Sequence, residues 1–451
     1  MDLKVFSRET SFKTLLSLVP AVYLQDFESI ETSGSLKLDG TVSDLMDINS
    51  AQVSVSASGP DLSIFSDILD KDIPDHPFTI DATVKGKDRF FDVKPFHATW
   101  GPSNLSGSFT LGFKERTAFN GNFQSDLISI AWLTAKNDES ESSEKEAIEK
   151  RDRVFPDTPI PENRFGDVDF DLDLQAKHMM LGFTDLTGVE LVLSLRNRLI
   201  KAVADVAGGP LGESVSGNFA FDTTGDMAKL DLELDGDGFH FGVMTPEDMG
   251  PEKTPPTDFM IRAKGQGATW HELASSLNGR FRLHQNSGLV NNAGMDLIFS
   301  DLLTELLATL NPFAQKSPYT ELECSLVAAD ITDGQVVLDP LIYQTKQIII
   351  VSGGTINLNT EDIGLDFHTQ VRKGFGLSAG MVLNPFIRLG GKLASPMIEL
   401  DPEGVVVKGT VAVATMGLSV LGRSLYDRFL ASKDPCGQAL EKLLEADAEK
   451  Q

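Results

Sequence analysis

The clearest pattern in this sequence is a strict alternation of apolar and charged residues. In Asp167–Leu174 every second residue is aspartate and every other one is apolar. Successive side chains of a β-strand point to opposite faces of the sheet, so this segment is predicted to be a half-buried strand. The same alternation recurs in Leu230–Leu234, Phe281–Leu283, Ile356–Leu358 and Leu365–Val371. It is typical of antiparallel sheet with one face in water, which disfavours Rossmann and α/β-barrel enzymes.

A short motif recurs near the start of several predicted strands. It is a polar residue followed by glycine and then by alternating apolar positions. The copies are Ser33–Leu38, Ser106–Leu111, Ser216–Phe221 and Asn278–Leu283. Because their spacing is irregular, we interpret the dipeptide as a turn that opens a strand, and not as the unit of a solenoid.

Helices are expected to be few. Met295–Leu310 carries its apolar residues on one stripe, and its acidic polar face favours packing on the sheet over lying on an anionic membrane. An apolar helix is predicted in Gly404–Leu430, and a charged one in Gln438–Glu449.

The chain is predicted to divide at an acidic, proline-bearing stretch. We expect an N-terminal β region at 1–136, a linker at 137–160, a C-terminal β domain at 161–435 and a C-terminal helix at 436–451. A second acidic break at 245–256 is interpreted as a loop inside the second part.

Composition narrows the class of partner. With 451 residues, 41% of them hydrophobic, the chain can bury a large core, so disorder is not expected. A net charge of −27 repels nucleic acid, but an apolar groove could still hold acyl chains with their headgroups in water.

Cys324 and Cys436 are the two cysteines of the sequence. They exclude a disulfide-dense scaffold and a four-cysteine zinc site. A bridge between them is open, but nothing in the sequence places their Cα atoms within reach, so two separate buried thiols are favoured.

One motif resembles a catalytic serine. Gly376–Gly380 matches the nucleophile elbow of α/β-hydrolases around Ser378, but Pro385 follows where a helix should begin. We therefore interpret the match as coincidence and predict that the protein is not an enzyme.

Metal-like patterns are also interpreted as structural. The aspartates of 167–173 would share the wet face of a strand, and Asp235–Gly238 lacks the later glutamate of a calcium loop and is predicted to be a hairpin turn. The seven histidines form no paired zinc motif, and we expect His178, His240 and His368 to be hydrogen-bonded strand residues. No metal and no cofactor are predicted.

No export signal or anchor is expected in the chain itself. The best candidate, Leu15–Leu24, contains Pro20 and is about half the roughly 20 apolar residues that a spanning helix needs. Asp2 and Glu9 precede it, unlike the basic start of a signal peptide.

Several short segments, taken in order, resemble the AsmA family: those from Thr320 onward resemble its C-terminal region, and the earlier ones resemble the half that precedes it. They are Gly59–Ser63 with Ile73–Pro74, Gly101–Gly107, Pro159–Pro161, Thr320–Cys324, Asp333–Val336, Gly353–Leu358 and Gly390–Pro396. The resemblance covers most of residues 30–440. It implies an elongated, twisted antiparallel sheet curled into an apolar groove, on the periplasmic side of the inner membrane, in a protein of outer-membrane assembly or phospholipid traffic.

The alternation and the resemblance together predict a groove for phospholipid acyl chains. Its candidate residues are Phe170, Leu172, Leu174, Leu232, Phe281, Phe367 and Val371. Two alternatives remain open: the sheet covers this face by stacking on itself, or the groove takes strands of envelope proteins and the chain is an assembly scaffold.

Overall fold

The computed structural model describes twelve stretches of the chain. They are 3–6, 35–42, 51–61, 76–129, 153–160, 168–181, 184–208, 211–241, 249–291, 319–372, 386–400 and 434–449. Of this part, 73% is strand and 8% is helical. The prediction of a mainly β protein is therefore confirmed.

Contacts divide the chain into two units. Unit 1 comprises 1–135, 161–210 and 216–224, and unit 2 comprises 136–160, 211–215 and 225–451. Residues 161–210 thus belong with the N-terminal part, whereas the predicted division placed them in the C-terminal domain.

The described part of unit 1 contains ten strands, and each pairs with the next in sequence. The strands are β1 (Leu3–Phe6), β2 (Ser35–Val42), β3 (Ala51–Gly59), β4 (Phe78–Lys87), β5 (Phe90–Trp100), β6 (Ser103–Phe113), β7 (Thr117–Ser129), β8 (Val168–Leu181), β9 (Thr184–Arg196) and β10 (Leu199–Gly208). The strand β11 (Ser214–Asp222) crosses the division between the units.

One pairing in unit 1 is parallel. β7 runs alongside β8 with Phe119 opposite Phe170 and Phe123 opposite Leu174. Parallel neighbours need a long connection, and here it contains the predicted linker. This pairing is the reason that β8 joins unit 1.

The described part of unit 2 is antiparallel sheet with two helices. Its elements are β12 (Ala228–Phe239), a 3-10 turn (Pro251–Lys253), β13 (Thr257–Gly267), α1 (Trp270–Ser275), β14 (Asn278–Gln285), β15 (Gly288–Asn291), β16 (Tyr319–Thr332), β17 (Gln335–Thr345), β18 (Ile348–Asn357), β19 (Asp362–Val371), β20 (Phe386–Lys392), β21 (Ser395–Leu400) and α2 (Pro435–Glu449). β12 to β14 and β16 to β21 pair in sequence order, and β14 and β15 lie end to end along β16.

The helices agree only in part with the sequence predictions. The C-terminal helix is confirmed as α2, while the predicted helices at 295–310 and 404–430 lie outside the described residues, as do Leu15–Leu24 and the Ser378 motif. α1 was not predicted, although Thr269 caps it by accepting a hydrogen bond from the Glu272 amide. In the described part of the chain, no helix is both long and apolar enough to span a bilayer.

The predicted hairpin turn at Asp235–Gly238 is wrong. These residues lie within β12, where the register with β13 shifts between Gly236 and Phe239. Gly238 adopts a φ of 61°, and its amide donates to Asp258 Oδ1 at 2.9 Å. The segment is a bulge, for which a glycine in the left-handed region is well suited.

The recurring polar-glycine dipeptide also has a different role from the predicted one. Gly107 lies inside β6, Gly217 inside β11 and Gly279 at the second position of β14, so none of them forms a turn before its strand. A Cβ atom at Gly107 would lie 2.1 Å from Asn122 O, and one at Gly279 would lie 1.9 Å from Arg262 O. Glycine is needed there because the backbone of an adjacent strand, β7 for Gly107 and β13 for Gly279, approaches closely.

The last residues of the predicted linker are held by unit 2. The carboxylate of Glu361 accepts hydrogen bonds from the amides of Val154 and Phe155 at 2.8 and 2.9 Å. The Ile160 amide donates to Ala268 O at 2.9 Å. Residues 153–160 are therefore held against the sheet by hydrogen bonds, and Glu361 is buried beneath them.

We expect Gly279→Ala to be strongly destabilising. The new methyl group would overlap backbone atoms of β13, and forcing a strand apart costs about 1–3 kcal/mol or more. Gly225→Ala is the matched control, because its nearest atom, Met227 O, would lie 3.9 Å away. Chemical denaturation followed by circular dichroism should show a lower midpoint for Gly279→Ala alone, and equal midpoints would contradict the close approach.

Candidate functional site

Three predicted groove residues lie side by side on one face of unit 1. Phe170, Leu172 and Leu174 alternate with aspartates along β8. Directly opposite them on β9 are Leu195, Leu193 and Leu191. Since paired residues share a face, the apolar stripe of β8 continues onto its neighbour.

The same face is apolar across the rest of the unit. The register of the pairings carries it from β8 in both directions. Its further described members are Leu38, Val53, Val55, Ala57, Ile80, Ala82, Val84, Val93, Phe96, Ala98, Phe109, Leu111, Phe119, Phe123, Ile200, Ala202, Ala204 and Val206. We call this surface the unit 1 apolar face.

A lane of phenylalanine rings crosses the unit 1 apolar face. Phe119 stacks on Phe170 with ring centroids 4.9 Å apart, and Phe109 stacks on Phe119 at 5.7 Å. Phe96 meets Phe109 edge to face at 5.4 Å. Such pairs add about 0.5–1.5 kcal/mol each beyond the burial of the rings, so the lane fixes their orientation.

Some rings lie over glycines. A Cβ atom at Gly121 would lie 2.5 Å from the ring of Phe123 and 2.8 Å from that of Phe119. Gly59 stands in the same relation to Phe78, at 2.6 Å. The rings thus occupy the space that a side chain at these positions would have filled. They cover the backbone of the glycines on this face.

The opposite face of unit 1 is polar. Asp169 pairs with Arg116 at 2.9 Å, and Asp171 pairs with Arg196 at 2.6 Å. The hydrogen bond from Arg196 holds the pKa of Asp171 below its usual range. The aspartates of β8 therefore lie on the wet face, as predicted, and Asp169 and Asp171 also have cationic partners that were not predicted. Asp167 lies outside the described residues.

Unit 2 repeats this separation of faces. Leu232 lies opposite Ala263, and Phe281 lies between Ile261 on β13 and Ala329 on β16. On the other side of the sheet, Arg262 pairs with Asp235 at 2.7 Å. The further members of the unit 2 apolar face are Leu230, Leu234, Phe259, Leu283, Val327, Ile331, Val336, Leu338, Leu341, Ile356, Ile363, Leu365, Leu389 and Ile398.

The candidate Phe367 lies where this face becomes core. Phe367 is opposite Ser352 and Ile387, and Val371 is opposite Ile348. Phe367 is only 5% exposed and Ile350 only 1%. Around them packs a cluster of Ile348, Ile350, Leu365, Phe367, Ile387 and Leu389.

Exposure separates the predicted residues into two groups. Phe170, Leu172, Leu232 and Phe281 are half-buried, whereas Leu174 and Phe367 are buried. A half-buried apolar side chain can still contact a ligand. Fewer of the described candidates are therefore accessible to a ligand than the seven residues predicted.

The strands β16, β17 and β18 are apolar on both faces. On the side opposite the unit 2 apolar face lie Leu326, Ile342, Ile349 and Val351, and α2 covers them through Ala439, Leu440 and Leu443. The uninterrupted run Ile348–Val351 was a signal for this arrangement, because continuous apolar residues indicate a strand buried on both faces.

The expectation of two separate thiols is wrong. Cys324 and Cys436 form a disulfide, with Cα atoms 6.4 Å apart. Cys324 is on β16 and Cys436 is in the first turn of α2. They are 112 residues apart in sequence, so only the docking of the helix brings them within reach.

The described ionisable residues form structural pairs. His240 Nδ1 and Glu213 Oε1 are 3.1 Å apart in a mostly buried contact, and His178 meets Asp185 at 3.3 Å. Within the described residues, no group of three or more histidine, cysteine or acidic side chains could hold a metal ion.

Comparisons with known proteins leave the family of the chain open. No protein-family model matches the sequence, and neither a curated protein nor a solved structure matches it.

The phenol of Tyr343 makes the burial of unit 2 testable by pH. Tyr343 packs against the buried side chains of Leu322 and Val290, and burial raises its pKa from 10.0 to about 12. The unfolded phenol ionises first as the pH rises. The contribution of Tyr343 is therefore complete below pH 10 and is lost between about pH 10 and 12, at about 1.4 kcal/mol per pH unit.

Comparing wild type with Tyr343→Phe isolates this effect, since all other groups titrate in both proteins. We expect the free energy of unfolding of the wild type to fall more steeply over that range, as measured by urea denaturation at several pH values. Parallel pH profiles would contradict the burial of the phenol.

Proposed function

We propose that this chain is a non-enzymatic cell-envelope protein of the AsmA type that holds phospholipid acyl chains against its apolar sheet faces. The observation that carries the proposal is the half-buried state of Phe170, Leu172, Leu232 and Phe281 on faces that are apolar over many strands. A soluble protein seldom leaves a wide apolar surface without an occupant.

The chemistry of the two faces suits this ligand. An acyl chain makes no hydrogen bonds, and each methylene removed from water contributes about 0.8 kcal/mol. The unit 1 apolar face offers it only hydrocarbon and aromatic groups, while the carboxylates point to the opposite side. Headgroups would remain in water. Dissolved salt screens their repulsion by the net charge of −27 there more strongly than it would in an enclosed site.

Two lines of reasoning support the proposed envelope location. The segments that resemble the AsmA family, taken in their order along the sequence, imply the periplasmic side of the inner membrane. The disulfide between Cys324 and Cys436 supports a compartment outside the reducing cytoplasm, because disulfides persist in oxidising environments.

The buried cluster around Phe367 favours a second candidate function. Where the unit 2 apolar face is already covered, it has no space for an acyl chain. If the other strands were covered in the same way, the sheet would be an ordinary structural core. The alternative function is then a scaffold for outer-membrane protein assembly, in which partner strands add to the sheet by edge pairing.

Native mass spectrometry of protein purified without detergent, followed by lipid extraction, tests the lipid proposal. We expect bound phospholipid, and uptake from phosphatidylethanolamine and phosphatidylglycerol vesicles after delipidation. A folded protein that carries no lipid and takes up none would overturn the proposal, and a stable crosslinked protein partner would then support the scaffold.

Neighbouring residues on opposite faces provide matched variants. Leu172→Asn and Asp173→Asn introduce the same side chain on the apolar and polar faces of β8, and Leu232→Gln and Glu233→Gln do so on β12. An amide facing an acyl chain loses its hydrogen bonds to water at a cost of about 1–3 kcal/mol, so the leucine variants should retain roughly tenfold less lipid. Equal lipid content in both members of each pair, at equal melting temperature, would argue against these faces.

A further inference from the structure

The C-terminal helix lies over an apolar patch that is separate from the proposed lipid surface. The patch consists of Leu326, Ile342, Ile349 and Val351, and we call it the latch patch. Ile342 and Val351 have no exposed surface. Alternation along β16 to β18 directs these side chains away from the unit 2 apolar face.

The helix contacts the latch patch through one narrow stripe. Cys436, Ala439, Leu440 and Leu443 recur at the spacing of a single helix face and pack on the sheet. The next residue, Leu444, is 63% exposed, so the contact does not extend around the helix. One large side chain per turn provides little area to hold an element in place.

The helix by itself is of marginal length. It is 15 residues long, near the lower limit for an isolated helix in water. Its last turn has no basic residue to interact favourably with the negative end of the helix dipole. The bond at Cys436 therefore adds to a helix that is marginal in isolation and that contacts the sheet through one narrow stripe.

We propose that the Cys324–Cys436 disulfide is a redox latch that keeps α2 closed over the latch patch. In the oxidised protein the helix is docked and the patch is dry. In the reduced protein α2 leaves the sheet, while the strands keep their pairing and the latch patch becomes exposed.

The opening step is a thiol–disulfide exchange with a dithiol. Cys436 is buried but Cys324 is partly exposed, so the thiolate of the reductant attacks the Cys324 sulfur. Cys436 leaves as a thiolate and takes up a proton. The second thiol of the reductant then releases Cys324 and closes its own disulfide, so that two electrons and two protons pass from the dithiol to the protein.

Hydrogen–deuterium exchange of the full chain, with and without dithiothreitol, tests the latch. On reduction we expect exchange in residues 438–449 to become roughly tenfold faster or more, while the amides of β17 and β19 keep their protection. Binding of a hydrophobic dye should rise in parallel, and reoxidation should reverse both changes.

The variant Cys324→Ser/Cys436→Ser is the control. It should exchange as the reduced wild type does and should not respond to dithiothreitol. Two results would overturn the latch: unchanged protection of α2 in the reduced protein, and loss of protection throughout unit 2, which would make the disulfide a general structural bond. Because the latch patch is on the other side of the sheet, neither result depends on lipid binding.

Discussion

The structure depends on one constraint, which is that side chains alternate between the two faces of a strand and remain in register with those of its neighbours. The apolar face therefore continues from Leu172 to Leu193 on β9. On the other face, Asp171 contacts Ser194 and Arg196. Repeated over ten strands of unit 1, this turns many short alternations into one apolar face and one polar face. The polar face is solvated and ion-paired, so the question of function concerns what covers the apolar one.

Unit 2 shows two ways of covering apolar surface. Between β18 and β20, side chains such as Ile350 and Leu365 bury one another in a cluster. Behind β16 to β18 a helix is placed over the sheet and held by a disulfide. The half-buried Phe281 and Leu232 lie on strands beyond both of these, which is why an external apolar ligand is the proposal for that part of the face.

Glycine residues and phenylalanine rings both contribute to the close packing of the strands. Gly107 and Gly279 lie where the backbone of an adjacent strand leaves no space for a Cβ atom. Gly121 instead leaves its space to the rings of Phe119 and Phe123. The sequence motif that contains Gly107 and Gly279 was visible, but its interpretation as a turn was wrong, because a close approach between strands is a property of the pair and not of one segment.

The sequence by itself determined the mainly β class, the apolar and polar faces of β8, β12 and β14, and the C-terminal helix. It could do so because periods of two and of about 3.6 residues are local and need no knowledge of the partner. Tertiary structure decided the parallel pairing of Phe119 with Phe170, the docking of residues 153–160 on Glu361, the cluster that buries Phe367, and the disulfide. Each of these joins segments that are far apart in sequence, and alternation shows which face a side chain occupies but not which segment will lie against it.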